Sequence, residues 1–271
     1  MGSLSNYAEL KLLDHIFNTA YTPATTIYLG LATADPGETA TGASANEVAN
    51  SGSYARTAIT FGSAASRRST QNATVTFPQA TGSWGTVTHW FIVDSATYGA
   101  GNVLAYGSFA ASKTIISGNT PSVASGETYV EFSAGYISDY LSNKLLDLMY
   151  KNTAYTKPAT YIALCTATVA DSNTGTTITE PAGGSYARKL VNINGGASPA
   201  WNLASAGAVT NANQIDMVTA TASWGTVTSV AIVDASTVGN LLFYDNAMTD
   251  QAVGSGDTAS FAASALTIQM N

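Results

Sequence analysis

Over residues 5–18, Tyr7, Leu10, Leu13 and Phe17 recur near a 3.6-residue period and predict a helix with one apolar stripe. Asn6, with Glu9 three residues on, predicts a capping box at its start. A second helix is predicted from Asp139, with Leu141, Leu145 and Leu148 on one stripe. Asn-Thr-Ala-Tyr-Thr follows each helix, at 18–22 and 152–156, and then a proline, Pro23 or Pro158, ends the helix ahead of a strand. Elsewhere short apolar or alternating runs are separated by Gly, Asn, Ser and Thr, a pattern of strands and turns.

The strand pattern occurs twice. Ser-Trp-Gly-Thr-Val-Thr at 83–88 returns letter for letter at 223–228, preceded by Ala-Thr-x and followed by Ile-Val-Asp in both places. Six identical residues with matching flanks mark a tandem duplication. Alternation places Trp84, Thr86 and Thr88 on one face and Gly85 and Val87 on the other. The continuations, Trp90-Phe91-Ile92-Val93 and Val230-Ala231-Ile232-Val233, predict strands buried on both faces. Gly85 and Gly225 mark a bend or a close backbone approach. Trp84 and Trp224 are expected to anchor the core of their own repeats. The alternative, a stacking platform for sugars, finds no second aromatic at suitable spacing in the motif.

Further pairs fill in the repeat. An apolar strand at 25–33 matches one at 161–168, with Cys165 opposite Gly30. Polar loops at 34–52 and 169–184 follow, candidates for partner contacts because loops of this length are often functional. Their acids Asp35, Glu38, Glu47, Asp171 and Glu180 lack the oxygen spacing of a calcium loop and read as solvated turn residues. Tyr54 and Arg56, like Tyr186 and Arg188, lie on one face of the next strand. Arg56 is expected to pair with Asp94 and Arg188 with Asp234; the functional rival is an anion site. Segments 57–77 and 189–217 diverge most, and the second is longer, with an extra Trp201. The fold class is therefore mainly β: two tandem β-sandwich domains, jelly-roll-like in one version, at 1–135 and 136–271, each with one N-terminal helix. With no flexible linker between them, the pair is expected to be rigid.

Composition narrows the function classes. Charged residues are only 10% of the chain, against about 25% in ordinary domains, which suits packing into an assembly. A net charge of −7 with no basic cluster beyond Arg67-Arg68 argues against direct nucleic-acid binding. The start lacks the pattern of a signal peptide and no apolar run is long enough to span a membrane, so synthesis and assembly in a cytoplasm are expected. The single cysteine, Cys165, rules out an intrachain disulfide. His15, on the polar part of the first helix, and His89 have no histidine counterparts in the other repeat. A trio of His89, Asp94 and a serine has no nucleophile elbow to support it. No catalytic residue, cofactor site or metal site is predicted, and the chain is read as a non-enzyme.

Taken together, Asn-Tyr-x-x-x-Lys-Leu-Leu-Asp, Thr-Ala-Tyr-Thr-x-Pro-Ala-Thr, Tyr-Ala-Arg, Ala-Thr-x-Ser-Trp-Gly-Thr-Val-Thr, Asn-Leu-Leu-Phe-Tyr and Ser-Gly-Asp-Thr resemble a family of bacteriophage tail-fibre-like or virion structural proteins, present here as two copies. The departures are the end of copy one, 120–122 and 129–132, and the 189–217 segment of copy two. The resemblance implies a non-enzymatic particle component. The leading expectation attaches it at the tail, neck or fibre through contacts with other virion proteins, as a homo-oligomer in the particle, while charge and run length give no nucleic-acid or membrane partner. The alternatives are a head decoration protein, a glycan-binding adhesin using exposed Tyr98 or Trp201, and a depolymerase. No heptad repeat marks a trimeric stalk.

Overall fold

The computed structural model describes residues 2–133 and 135–270. The first repeat runs β1 (Gly2–Leu4), α1 (Asn6–Phe17), β2 (Ile27–Ala32), β3 (Thr57–Ile59), β4 (Arg68–Thr70), β5 (Val75–Thr76), β6 (Gly85–Val93), β7 (Val103–Ile115), β8 (Ser122–Val123) and β9 (Tyr129–Glu131). The second runs α2 (Asp139–Lys151), β10 (Thr160–Cys165), β11 (Lys189–Val191), β12 (Ala208–Thr210), β13 (Ile215–Asp216), β14 (Gly225–Val227), β15 (Ser229–Val233), β16 (Leu241–Asp245), β17 (Gln251–Val253), β18 (Ser260–Phe261) and β19 (Thr267–Gln269). The chain is mainly β, in two tandem repeats each with one helix near its start, as the periodicity predicts; the short strand β1 ahead of α1 is an addition.

Both helices start on a serine. Ser5 and Ser138 are extended, and their hydroxyl oxygens accept from Ala8 N–H at 3.2 Å and Leu141 N–H at 3.1 Å. This satisfies one of the free donors of the first turn. The same hydroxyls donate to the carbonyls of Val103 and Leu241, fixing each helix to the start of its neighbouring strand. The cap of α1 is therefore Ser5, one residue before the expected Asn6, and Glu9 is buried rather than closing a capping box.

Seven strands of the first repeat form one curled sheet in the order β3-β2-β6-β7-β1-β9-β4. In the second repeat the counterpart is split into β11-β10-β15-β16 and the pair β12-β19. Register defines the correspondence: Tyr28 faces Val93 as Tyr161 faces Val233, and Ser69 faces Val130 as Val209 faces Ile268. The split falls where β1 stands in the first repeat, between β7 and β9. This ladder puts Cys165 opposite Ala32 rather than Gly30; backbone pairing overrides the likeness of neighbouring side chains. Trp201 is likewise no extra residue. It bridges Asn211 as Phe61 bridges Gln71, so it holds the place of Phe61 and the added residues precede it.

The Trp motif departs from simple alternation. Gly85 and Gly225 both sit at φ +79, a left-handed conformation that only glycine adopts readily. The turn breaks the period of two, so Trp84 and Val87 are both buried while Thr86 is exposed. Trp84 stays within its own repeat, as expected: its indole N–H donates to Gly52 O at 2.8 Å, and its ring stands edge-on to Tyr54 at 5.2 Å. Trp224 repeats this with Gly184 O at 2.9 Å and Tyr186 at 5.2 Å.

The helices do not stay within their repeats. α1 packs on its own β7 and also on β12, while α2 packs on its own β16 and also on β4. Backbone donors are exchanged in the same sense: Ala204 N–H donates to Asp14 Oδ1 at 3.2 Å, and Ala64 N–H donates to Asp147 Oδ1 at 2.7 Å. One apolar cluster consequently runs through both repeats, joining Leu12, Leu13 and Ile16 to Leu141, Leu145 and Leu146. Being covered on two sides shifts the buried face of α1 to Ala8, Leu12, Leu13, Ile16 and Phe17; Tyr7 and Leu10, expected on the stripe, are half-buried. The expected α2 stripe of Leu141, Leu145 and Leu148 is buried.

Candidate functional site

The most elaborate polar arrangement occurs once in each repeat. Just before β3, Tyr54 and Arg56 turn the same way and meet Glu47 of the long loop. The Tyr54 hydroxyl accepts from Leu31 N–H at 2.9 Å and donates to Glu47 Oε1 at 2.9 Å. Arg56 grips the same carboxylate with Nε and Nη2, both at 2.8 Å. Its remaining donors go to carbonyls: Nη1 to Ser95, Thr97 and Ala100, and Nη2 to Gly42 at 2.9 Å. Burial, followed by the charge of Glu47, raises the Tyr54 pKa.

The second repeat rebuilds this around Arg188. Tyr186 accepts from Leu164 N–H and donates to Glu180, while Arg188 binds Glu180 with Nε and Nη2. Its other donors go to the carbonyls of Ala235, Val238 and Gly175. The close approach requires glycine: a Cβ on Gly42 would lie 1.9 Å from Ala100 O, and one on Gly175 would lie 2.0 Å from Val238 O.

These contacts correct the expected partners of both arginines. Asp94 is engaged in its own turn, accepting from Asn102 N–H at 2.7 Å and Asn102 Nδ2 at 2.8 Å; Asp234 does the same with Asn240. An aspartate at a strand end is captured by the nearest backbone donors, leaving the arginine to a carboxylate from the loop. Glu47 and Glu180 are therefore not solvated turn residues, and neither is Asp171, which pairs with Arg67. The anion-site reading also fails, because every guanidinium N–H already has a protein acceptor and the Arg56 side chain is 0% exposed.

Each arginine ties the long loop to the turn that follows β6 or β15. The tips of those turns are apolar and exposed: Tyr98 at 40% and Val238 at 64%. The other candidates lie apart from them. Trp201, offered as an exposed aromatic, is fully buried and donates its indole N–H to Thr160 Oγ1 at 2.8 Å. His15 is buried rather than on a polar face; its Nδ1 accepts from Tyr21 N–H at 3.0 Å, and burial lowers its pKa. His89 contacts Thr88 at 2.8 Å and is about 16 Å along the strand from Asp94, too far for a relay. Cys165 is buried and its thiol pKa is pushed up to about 12 by burial. Sequence reasoning missed the roles of Glu47 and Glu180. Their signal was the repeated order of Glu, Tyr and Arg, with the acid seven residues before Tyr54 and six before Tyr186.

No curated protein matches the chain. A family model described as podophage GP4 fiber I protein gp80 matches it twice, over residues 3–131 and 136–269. These boundaries coincide with the two repeats traced by the Trp motifs and the arginine-locked loops. Together the two segments take in nearly the whole chain, which therefore belongs to the podophage GP4 fiber I protein gp80 family, as two tandem copies.

Proposed function

We propose that this virion fibre protein is a non-enzymatic tail, neck or fibre module that acts through contacts with other virion proteins. Membership of a phage fibre family makes the chain a structural component of a particle. The observation that carries the finer reading is how the repeated polar groups are used. In both repeats the Tyr, Glu and Arg side chains satisfy one another and the loop carbonyls, leaving a stiffened turn with an apolar tip, Tyr98 or Val238. A rigid tip of this kind suits a protein contact, since little conformational entropy remains to be lost on binding. The parts 1–135 and 136–271 act as one body joined by a shared core, assembled in the host cytoplasm before incorporation.

The test is quantitative mass analysis of purified particles, scaled to the major capsid protein. A few to a few dozen copies per particle are expected. A copy number comparable with the capsid protein would instead assign the protein to head decoration.

A further inference from the structure

The break in the second repeat's sheet opens a cavity of about 290 Å³ between β16 and β19. Its floor is Ile162, Val230, Ile232, Phe243 and Ile268. The first repeat shows what fills this place. There Trp90, the counterpart of Val230, is fully buried beneath β1, and a Cβ added to Gly2 would lie 2.3 Å from the Trp90 ring. Strand β1 then closes the sheet, antiparallel to β7 and parallel to β9. The second repeat keeps only part of that filling. It has valine for the indole, and the segment in the place of β1 still holds β16, where Tyr136 O accepts from Tyr244 N–H at 2.8 Å and Ile137 bridges Phe243, but it forms no ladder with β19. A Cβ on Gly135 would meet nothing within 4 Å.

Among the described residues, β19 pairs with β12 alone, and its edge on the cavity side has no strand beside it. Met270 N–H donates to Gly207 O on the β12 side, so by alternation the backbone groups of Thr267 and Gln269 point the other way, towards the gap. We propose that this gap is a docking site for an extended peptide segment of a partner polypeptide, seated beside β19 with an aromatic side chain over Val230. The occupant restores what the first repeat holds within itself: a strand against the free edge and a ring in the space of Trp90. Asp245 lines the mouth and favours a segment carrying Lys or Arg next to the aromatic. The site is independent of where the protein sits in the particle.

The test uses the full chain with labelled Ile, Leu and Val methyl groups, titrated with N-acetyl-tryptophanamide and with the peptide acetyl-Lys-Trp-Thr-amide. Signals of Ile162, Val230, Ile232 and Ile268 are expected to shift, while those of the filled first-repeat counterparts Leu29, Ile92 and Val130 stay in place. The peptide is expected to bind about tenfold more tightly than the amide, through the β19 edge. Val230→Trp is expected to abolish both interactions by filling the cavity from within. If that variant does not fold, the wild-type shift pattern decides alone. No shift at the four second-repeat residues, or equal shifts in both repeats, overturns the site. A peptide that binds no more tightly than the amide overturns the extended-segment part.

Discussion

Phe17, in the last turn of α1, stands edge-on to Trp201 of the other repeat, with ring centroids 4.8 Å apart at 62°. Tyr150 of α2 meets Phe61 of the first repeat at 5.4 Å. Each helix thus ends by placing an aromatic ring on the partner repeat, so the chain is built like a two-fold dimer in which both subunits lend a helix. Phe17 also stacks on Phe243 at 5.5 Å. Phe17→Ala is therefore expected to destabilise the whole chain by about 3–5 kcal/mol in urea unfolding, in a single transition. Segments 1–135 and 136–271, produced together, are expected to co-purify in equal amounts, and each alone to aggregate. Two separately folded monomers would contradict a shared core.

Removing Arg56 leaves Glu47 buried without its cation. Arg56→Ala is expected to cost about 3–5 kcal/mol in denaturant unfolding. Arg56→Lys is expected to recover little of this, since one ammonium cannot reach the carboxylate and the loop carbonyls together. Arg188→Ala is expected to cost less, because Glu180 is 18% exposed against 4% for Glu47.

Glu9 supplies a pH dependence. Burial, and then the nearby charge of Glu38, raises its pKa to about 7 from 4.5. Between those values the folded chain binds more protons than the unfolded chain, so this contribution is fully present below pH 4.5 and is lost as pH rises through 7. Glu9→Gln is expected to flatten this fall and to exceed the wild type in stability above pH 7. Urea midpoints measured across the window test it; an unchanged slope would contradict it.

Gly85→Ala meets no neighbour within 4 Å, but it places an alanine at φ +79. The expected loss is about 1–2 kcal/mol from backbone strain alone. Gly225→Ala, in the same conformation, is expected to match it; a loss at only one of the two sites would point to a cause other than the backbone.

Cys165 is expected to resist a thiol reagent in the native chain and to react on unfolding, since burial raises its pKa to about 12. Labelling followed by mass measurement reads this directly.

The duplication, the two helices and the Trp strands were legible because they depend on local pattern and literal recurrence. The partners of Arg56 and Arg188 were not. Spacing could place Tyr54 and Arg56 on one side, but it could not choose between a carboxylate in a loop and one at a strand end. The depth of Trp201 and His15 was hidden for another reason: both are covered at the join between repeats, and no pattern within one repeat records that surface. Side-chain likeness near the strand end matches Cys165 with Gly30, whereas backbone register, which no local pattern records, matches it with Ala32.

Fusion of the two repeats removes a constraint that a dimer of identical subunits must obey. Such a dimer presents every surface twice, whereas here Arg67 reaches Asp139 and Asp171 across one side of the join and Gly207 stands in its place on the other. Trp90 and Val230 differ in the same way. The molecule therefore has a front and a back. A building block with unlike ends can hold two different neighbours, or line up with its copies in one direction, where a symmetric pair offers the same contact at both ends.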